Sequence, residues 1–111
     1  MFLSYVTVEG KRHDLELGER DIIIGRSSKA DVHIDDPRAS RNHAQIKYWD
    51  GDYVIKDLKS NNGTYVNGRR IDVALLKLNA RILIAGLEIR FLSERLHNKG
   101  TSTILREVGE E

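Results

Sequence analysis

Residues 57–68 carry the sequence DLKSNNGTYVNG, which contains two Asn-Gly pairs, Asn62-Gly63 and Asn67-Gly68, five residues apart. Asn-Gly is a strong turn signal because both residues tolerate backbone conformations that most others avoid. The chain is therefore expected to reverse sharply twice, around a very short strand between the two pairs. Taken alone, the same pattern also fits an exposed turn region.

Short apolar segments on both sides of this stretch are typical of β-strands. They alternate in polarity or are rich in β-branched residues, and turn residues separate them. The predicted strands are residues 3–8, 12–17, 21–25, 32–34, 44–49, 52–58, 80–85 and 87–92. Because no long amphipathic helix interrupts them, the sequence predicts an all-β sandwich or barrel.

Two polar segments, residues 26–42 and 59–70, interrupt the strands. We interpret both as loops held between firm strands, where binding residues are often found. From Ser93 onward the strand pattern is lost. The sequence therefore predicts one domain over residues 1–93 and a flexible tail or linker over residues 94–111.

The composition excludes several classes of function. With 18 basic and 17 acidic residues and a net charge of +1, the chain lacks the charge excess of a nucleic-acid-binding domain. It has no Cys, hence no disulfide or thiolate nucleophile. Residues 1–5 lack the features of a signal peptide, so none is expected, and no apolar run is long enough for a membrane span. We therefore expect a cytoplasmic protein without a membrane partner.

Catalytic signatures are likewise missing from the sequence. The four histidines are dispersed, and no P-loop, carboxylate–base constellation or clustered metal ligands occur. We therefore expect neither an enzyme nor a protein that uses a cofactor or metal.

Two further motifs precede the Asn-Gly stretch. Gly25-Arg26 closes an apolar strand, and Ser40-Arg41-Asn42-His43 comes just before the strand predicted at residue 44. Neither motif is decisive alone. Arg26 fits an ordinary turn, and Ser40 and His43 lack the orienting acid and glycine pattern of a hydrolase.

The three motifs in this order resemble the forkhead-associated family, and the resemblance covers residues 3–92. It implies an all-β, eleven-strand β-sandwich of two twisted, mainly antiparallel sheets with the binding loops at one end. It also implies a module that binds phosphothreonine peptides and recruits phosphorylated partners in Ser/Thr kinase signalling. The alternative is a phosphate-independent scaffold that uses the surface of the sandwich.

The resemblance also implies a role for each matching residue. Arg26 and Ser40 would bind the phosphate, and Arg41 would add a second positive charge. Asn61, mainly through its backbone, and Asn62 would bind the peptide. The residues expected to support the site are Gly25, His43, Gly63, Thr64, Asn67 and Gly68.

Arg38, two residues before Ser40, lies in the loop expected to meet the peptide three residues past the phosphothreonine. We therefore hypothesise that an acidic residue is tolerated at that position of the peptide.

Thr101 is a candidate phosphorylation site, because Ile104 follows it at the spacing of a typical ligand for this family. The extended chain from Leu92 to Thr101 spans at most about 30 Å, so binding to a second copy is favoured over binding to its own site. The alternative is an unmodified flexible linker. Chain phosphorylated at Thr101 is expected to sediment as a dimer; a monomer with no gain in affinity would contradict this.

Overall fold

The computed structural model describes residues 1–94, which form eleven β-strands and no helix. The strands are β1 (Phe2–Val6), β2 (Arg12–Glu16), β3 (Ile22–Gly25), β4 (Val32–His33), β5 (Ala44–Trp49), β6 (Asp52–Asp57), β7 (Thr64–Val66), β8 (Arg69–Ile71), β9 (Val73–Leu75), β10 (Arg81–Ile84) and β11 (Leu87–Leu92). Residues 1–94 therefore include no helical segment with the length and apolarity needed to cross a bilayer.

The strands form two sheets. The six-stranded sheet has the order β2-β1-β11-β10-β7-β8, and the five-stranded sheet has the order β4-β3-β5-β6-β9. Every strand pair is antiparallel except β3 with β4. The predicted β-sandwich of eleven strands is confirmed.

A core of branched aliphatic side chains lies between the sheets. On β10, Ile82 and Ile84 are fully buried, whereas Arg81 and Leu83 are exposed, as expected for a strand with one face on the core. The other leucine and isoleucine side chains that are fully buried are Leu3, Ile22, Ile24, Ile46, Ile55 and Ile89.

Three hairpin turns have two central residues with positive φ. The φ angles are 49° and 86° at Asp50-Gly51, 52° and 84° at Asn67-Gly68, and 50° and 83° at Ala85-Gly86. This conformation matches the twist of the flanking strands. The hairpins expected about residues 49–51 and at Gly86 are thus confirmed, as is the reversal at Asn67-Gly68.

Part of the expected loop structure is wrong. The very short strand expected between the two Asn-Gly pairs is present as β7, but the segment 59–70 also contains the start of β8 and is therefore not one polar loop. Strand β9 was not predicted, since three residues are too few to show a period-two pattern. Asn62-Gly63 does not close a hairpin, because β6 and β7 belong to different sheets. Observed strand ends differ from the predicted ones by up to two residues.

The connections that matter for function gather at one end of the sandwich. Ala44, at the start of β5, pairs with Ile24 near the end of β3 and with Asp57 at the end of β6. In the six-stranded sheet, Leu92 at the end of β11 pairs with Phe2, at the opposite end of the sandwich. Residues 95–111, with the hypothesised phosphorylation site at Thr101, lie outside the described residues.

Candidate functional site

Three loops meet at this end and are called here the loop cluster. They are the β3–β4 loop (residues 26–31), the β4–β5 loop (residues 34–43) and the β6–β7 loop (residues 58–63). The first two are joined through their backbones. Arg26 N–H donates to the Ser40 carbonyl at 2.9 Å, and Ser27 N–H donates to the Arg41 carbonyl at 3.1 Å.

Arg26 is exposed, but its side chain has a defined direction. Its Nε donates a hydrogen bond to the Ala39 carbonyl at 3.0 Å. Neither terminal Nη group has a hydrogen-bond or ion-pair partner among residues 1–94. The planar end of the guanidinium is therefore held near Ser40 and available to an anion.

Ser40 is linked to the third loop through its hydroxyl. Its Oγ accepts a hydrogen bond from Asn61 N–H at 3.2 Å. A hydroxyl has one donor and two acceptor positions, so Ser40 can still donate its proton to a ligand. The bond means that Asn61 orients the Ser40 hydroxyl, whereas its backbone was expected to bind the peptide directly.

Asn62 is also engaged within the loop cluster. Its Nδ2 donates to the Arg38 carbonyl at 2.7 Å, which joins the β6–β7 loop to the β4–β5 loop. A primary amide has a second N–H and an acceptor oxygen. Asn62 is thus oriented by one bond and has groups to offer an extended peptide.

The guanidinium of Arg38 is paired with a carboxylate of its own loop. Arg38 Nε and Nη2 donate to the two oxygens of Asp36 at 3.0 and 2.8 Å, and Nη2 also donates to the Ala85 carbonyl at 3.0 Å. The hydrogen bonds from Arg38 lower the pKa of Asp36 to about 2. Asp36 is therefore ionised at neutral pH. Its negative charge compensates the positive charge of Arg38, which was expected to attract an acidic residue of the peptide.

Gly25 is required by the close approach of two backbones. A Cβ at this position would lie 2.0 Å from the Arg41 carbonyl oxygen and 2.9 Å from that of Ser40. The absence of a side chain therefore permits the backbone pairing on which Arg26 and Ser40 depend. The supporting role predicted for Gly25 has a direct steric reason.

His43 is fully buried and connects two of the loops. Its Nδ1 accepts a hydrogen bond from Ser40 N–H at 3.0 Å, and its Nε2 lies 2.8 Å from the Gly63 carbonyl. A backbone N–H can only donate and a carbonyl can only accept. The ring is therefore neutral, with its proton on Nε2.

Asp57 organises the β6–β7 loop, a role the motifs did not suggest. Its Oδ1 accepts hydrogen bonds from Ser60 Oγ at 2.6 Å and from Thr64 Oγ1 at 2.7 Å, and its Oδ2 accepts one from Ser60 N–H at 3.1 Å. Gly63 N–H in turn donates to Ser60 Oγ at 2.9 Å. Burial raises the pKa of Asp57, but the bonds from Ser60 and Thr64 outweigh it, so that pKa lies below its ordinary value.

Part of the network could have been predicted from the sequence, because Ser60 follows Asp57 by three residues. An aspartate often accepts hydrogen bonds from a backbone N–H and a hydroxyl a few residues later in a turn. The sequence pattern places Asp57 only inside the strand predicted at residues 52–58.

Asn67 and Gly68 lie at the far end of β7 from the loop cluster. Asn67 N–H donates to the Arg81 carbonyl at 2.8 Å, and Asn67 Oδ1 accepts from Arg81 N–H at 3.0 Å. These bonds attach the β7–β8 turn to β10. The support expected of Asn67 and Gly68 is therefore limited to positioning β7.

Comparison with known proteins identifies one family. The family described as FHA domain matches residues 22–91 of the chain. An FHA domain structure from work on phosphothreonine-dependent FHA domain interactions superposes with a TM-score of 0.71 at 26% identity, covering 86% of this chain and 100% of the other.

Two curated bacterial proteins illustrate the sequence relationship. The ABC transporter ATP-binding/permease protein Rv1747 of Mycobacterium tuberculosis is 34% identical over 94 residues, which is 85% of this chain and 11% of that protein. The glycogen accumulation regulator GarA of Mycolicibacterium smegmatis is 35% identical over 69 residues, which is 62% of this chain and 44% of that protein. The chain thus spans less than half the length of these curated relatives.

Gly25→Ala is expected to destabilise the domain by about 1–3 kcal/mol, because the new methyl group must displace backbone rather than a flexible side chain. Gly18→Ala is a matched control, since a Cβ there would have no atom within 4 Å. Urea denaturation of both variants measures the difference. Equal stability of the two variants would show that the close approach at Gly25 does not constrain the fold.

Asp57 is expected to make stability fall in acid. A carboxyl whose pKa is lowered by folding stabilises the folded state fully at pH values above the ordinary aspartate pKa of about 3.9. This contribution is lost as the pH falls through the lower folded value. The free energy of unfolding should therefore fall more steeply below about pH 4 for wild type than for Asp57→Asn. Asp52→Asn, at the other end of β6, should retain the wild-type slope; equal slopes for wild type and Asp57→Asn would contradict the assignment.

Proposed function

The chain belongs to the forkhead-associated (FHA) domain family, and on this premise we propose that it is a phosphothreonine-peptide binding module that recruits phosphorylated partners in Ser/Thr kinase signalling. The observation that carries the proposal is the 3.0 Å hydrogen bond from Arg26 Nε to the Ala39 carbonyl, which holds the Arg26 guanidinium against the residue next to Ser40 in the chain. Their loops are joined by the 2.9 Å bond from Arg26 N–H to the Ser40 carbonyl. Similarity to a named bacterial regulator supports a signalling role.

The chemistry of a phosphate matches these two side chains. A phosphothreonine carries a charge of about −1.5 to −2 and three strong acceptor oxygens. The Nη groups of Arg26 supply two parallel donors and a full positive charge, and Ser40 supplies a short hydroxyl bond. Arg41, exposed beside Ser40, adds a second charge. The site thus neutralises a local dianion although the whole chain is nearly neutral.

Asn62 is proposed to bind the peptide main chain just past the phosphothreonine. One amide N–H is bonded to the Arg38 carbonyl, which fixes the orientation of the side chain. The second N–H and Oδ1 can then pair with a peptide carbonyl and N–H. Because an extended peptide presents these groups whatever its side chains, Asn62 contributes affinity that does not depend on the peptide sequence.

A phosphate-independent scaffold is the second candidate. The outer face of the five-stranded sheet exposes three large apolar side chains, with relative exposures of 71% for Trp49, 58% for Val73 and 49% for Leu75. Neighbouring exposed apolar residues often mark protein contacts. On this alternative, binding to a partner would be independent of Arg26. A cytoplasmic location and the absence of nucleic-acid and membrane partners belong to both proposals.

Arg26→Ala and Ser40→Ala are each expected to weaken binding of a phosphothreonine peptide about 10- to 150-fold, the range for losing a hydrogen bond to a charged group. Wild type should bind the phosphothreonine peptide about fourfold more tightly than its phosphoserine counterpart if one methyl group is buried. It should not bind the unphosphorylated peptide measurably. Isothermal titration calorimetry gives all these affinities.

Arg69→Ala serves as the control for loss of an exposed arginine away from the loop cluster. It should bind like wild type, and thermal melts should show every variant folded. Undiminished binding by Arg26→Ala would reject the phosphate site and favour the scaffold.

A further inference from the structure

The side chain of Arg70, on β8, lies against the backbone of the β6–β7 loop. A Cβ placed on Gly63 would be only 2.7 Å from Arg70 Nε and 3.0 Å from its Cζ. Gly63 also has a φ of 90°, a conformation that favours glycine. The absence of a side chain at Gly63 therefore admits the arginine to the loop that carries Asn61 and Asn62.

Both backbone polar groups of Gly63, against which Arg70 lies, are hydrogen-bonded. Gly63 N–H donates to Ser60 Oγ at 2.9 Å, and the Gly63 carbonyl accepts from His43 Nε2 at 2.8 Å. The Nε and Cζ atoms of Arg70 thus lie against a constrained backbone, although the residue as a whole is exposed. Arg70 is positioned beside the proposed peptide site rather than extended freely into solvent.

The charge of Arg70 has no partner in the part of the chain that the structure describes. There, no carboxylate pairs with it and no hydrogen bond involves its guanidinium. Arg38, expected from the sequence to meet an acidic residue, is instead paired with Asp36 at 2.8 Å and with the Ala85 carbonyl. Of these two arginines, Arg70 is the one whose charge is available to a ligand.

From this contrast we infer that Arg70 binds an acidic side chain of the phosphorylated partner, on the side of the phosphothreonine that Asn62 serves. The inference rests on the proposed function and names a specificity-determining residue for the same site. A guanidinium suits a carboxylate because its donors lie in one plane and bind both oxygens. Arg70 then takes the role that the sequence suggested for Arg38.

Phosphothreonine peptides that carry one Glu, moved through about five positions after the phosphothreonine, test the inference. Each is compared with its Gln counterpart by fluorescence anisotropy, using wild type, Arg70→Gln and the adjacent Arg69→Gln. We expect one Glu position to improve binding about two- to fivefold, the range for an exposed ion pair, with wild type and Arg69→Gln. Arg70→Gln should show no such preference, and Arg70→Glu should prefer Lys at that position.

Two results would overturn the inference. The first is equal binding of Glu and Gln peptides by wild type at every position. The second is a Glu preference that survives in Arg70→Gln or disappears in Arg38→Gln. If the proposed function is wrong, peptide affinity will be independent of the phosphate and of Arg26, a result that neither of these two outcomes gives. The inference about Arg70 would then be wrong as well. Melting temperatures of all variants establish that each is folded.

Discussion

The two hydrogen bonds of the buried His43 ring hold the functional end of this domain together. One nitrogen accepts from Ser40 N–H and the other donates to the Gly63 carbonyl, so one side chain joins two loops that are remote in sequence. Without the ring, the buried Gly63 carbonyl would be left unpaired at a cost of about 1–3 kcal/mol, and the part-buried Ser40 N–H would also lose its partner. The Ser40 hydroxyl, which is proposed to bind the phosphate, and Gly63, against which Arg70 lies, are thus positioned by the same imidazole.

Positioning and binding are carried out by different residues. His43 and Thr64 are fully buried, and Ser60 is nearly so, with their polar atoms bonded within the domain. Arg26 and Arg41, in contrast, are exposed, and their backbones hold the loops together. A ligand can therefore approach an arginine without disturbing the bonds that set the loop conformations. Because the loops are already ordered, little conformational entropy remains to be lost on binding.

The motifs that form the loop cluster could be recognised in the sequence, but most of the interactions among their residues could not be predicted from it. Gly25-Arg26, the segment from Ser40 to His43 and the Asn-Gly stretch were recognisable because each combines residues with specific local properties. The Arg38 prediction depended on its position in a loop. It did not account for Asp36, two residues away, which the loop conformation brings into contact with the guanidinium. The network around Asp57 was missed because its donors, Ser60 and Thr64, look like ordinary loop and strand residues in the sequence.

The sequence alone was enough to predict the strands with alternating polarity, the turns at Asn67-Gly68 and Gly86, and the side chains proposed to bind a ligand. These properties depend on residues adjacent in the chain, whose backbone preferences and polarity are local. The folded structure was needed to establish that β8 and β9 exist and that Arg70 lies on Gly63 while Arg38 is neutralised. Those outcomes depend on sheet pairing, such as Thr64 with Ile71, and on loops packed from separate strands. The physical reason is that neighbours in space, and not neighbours in the chain, decide whether the charge of an arginine is paired within the domain or available to a ligand.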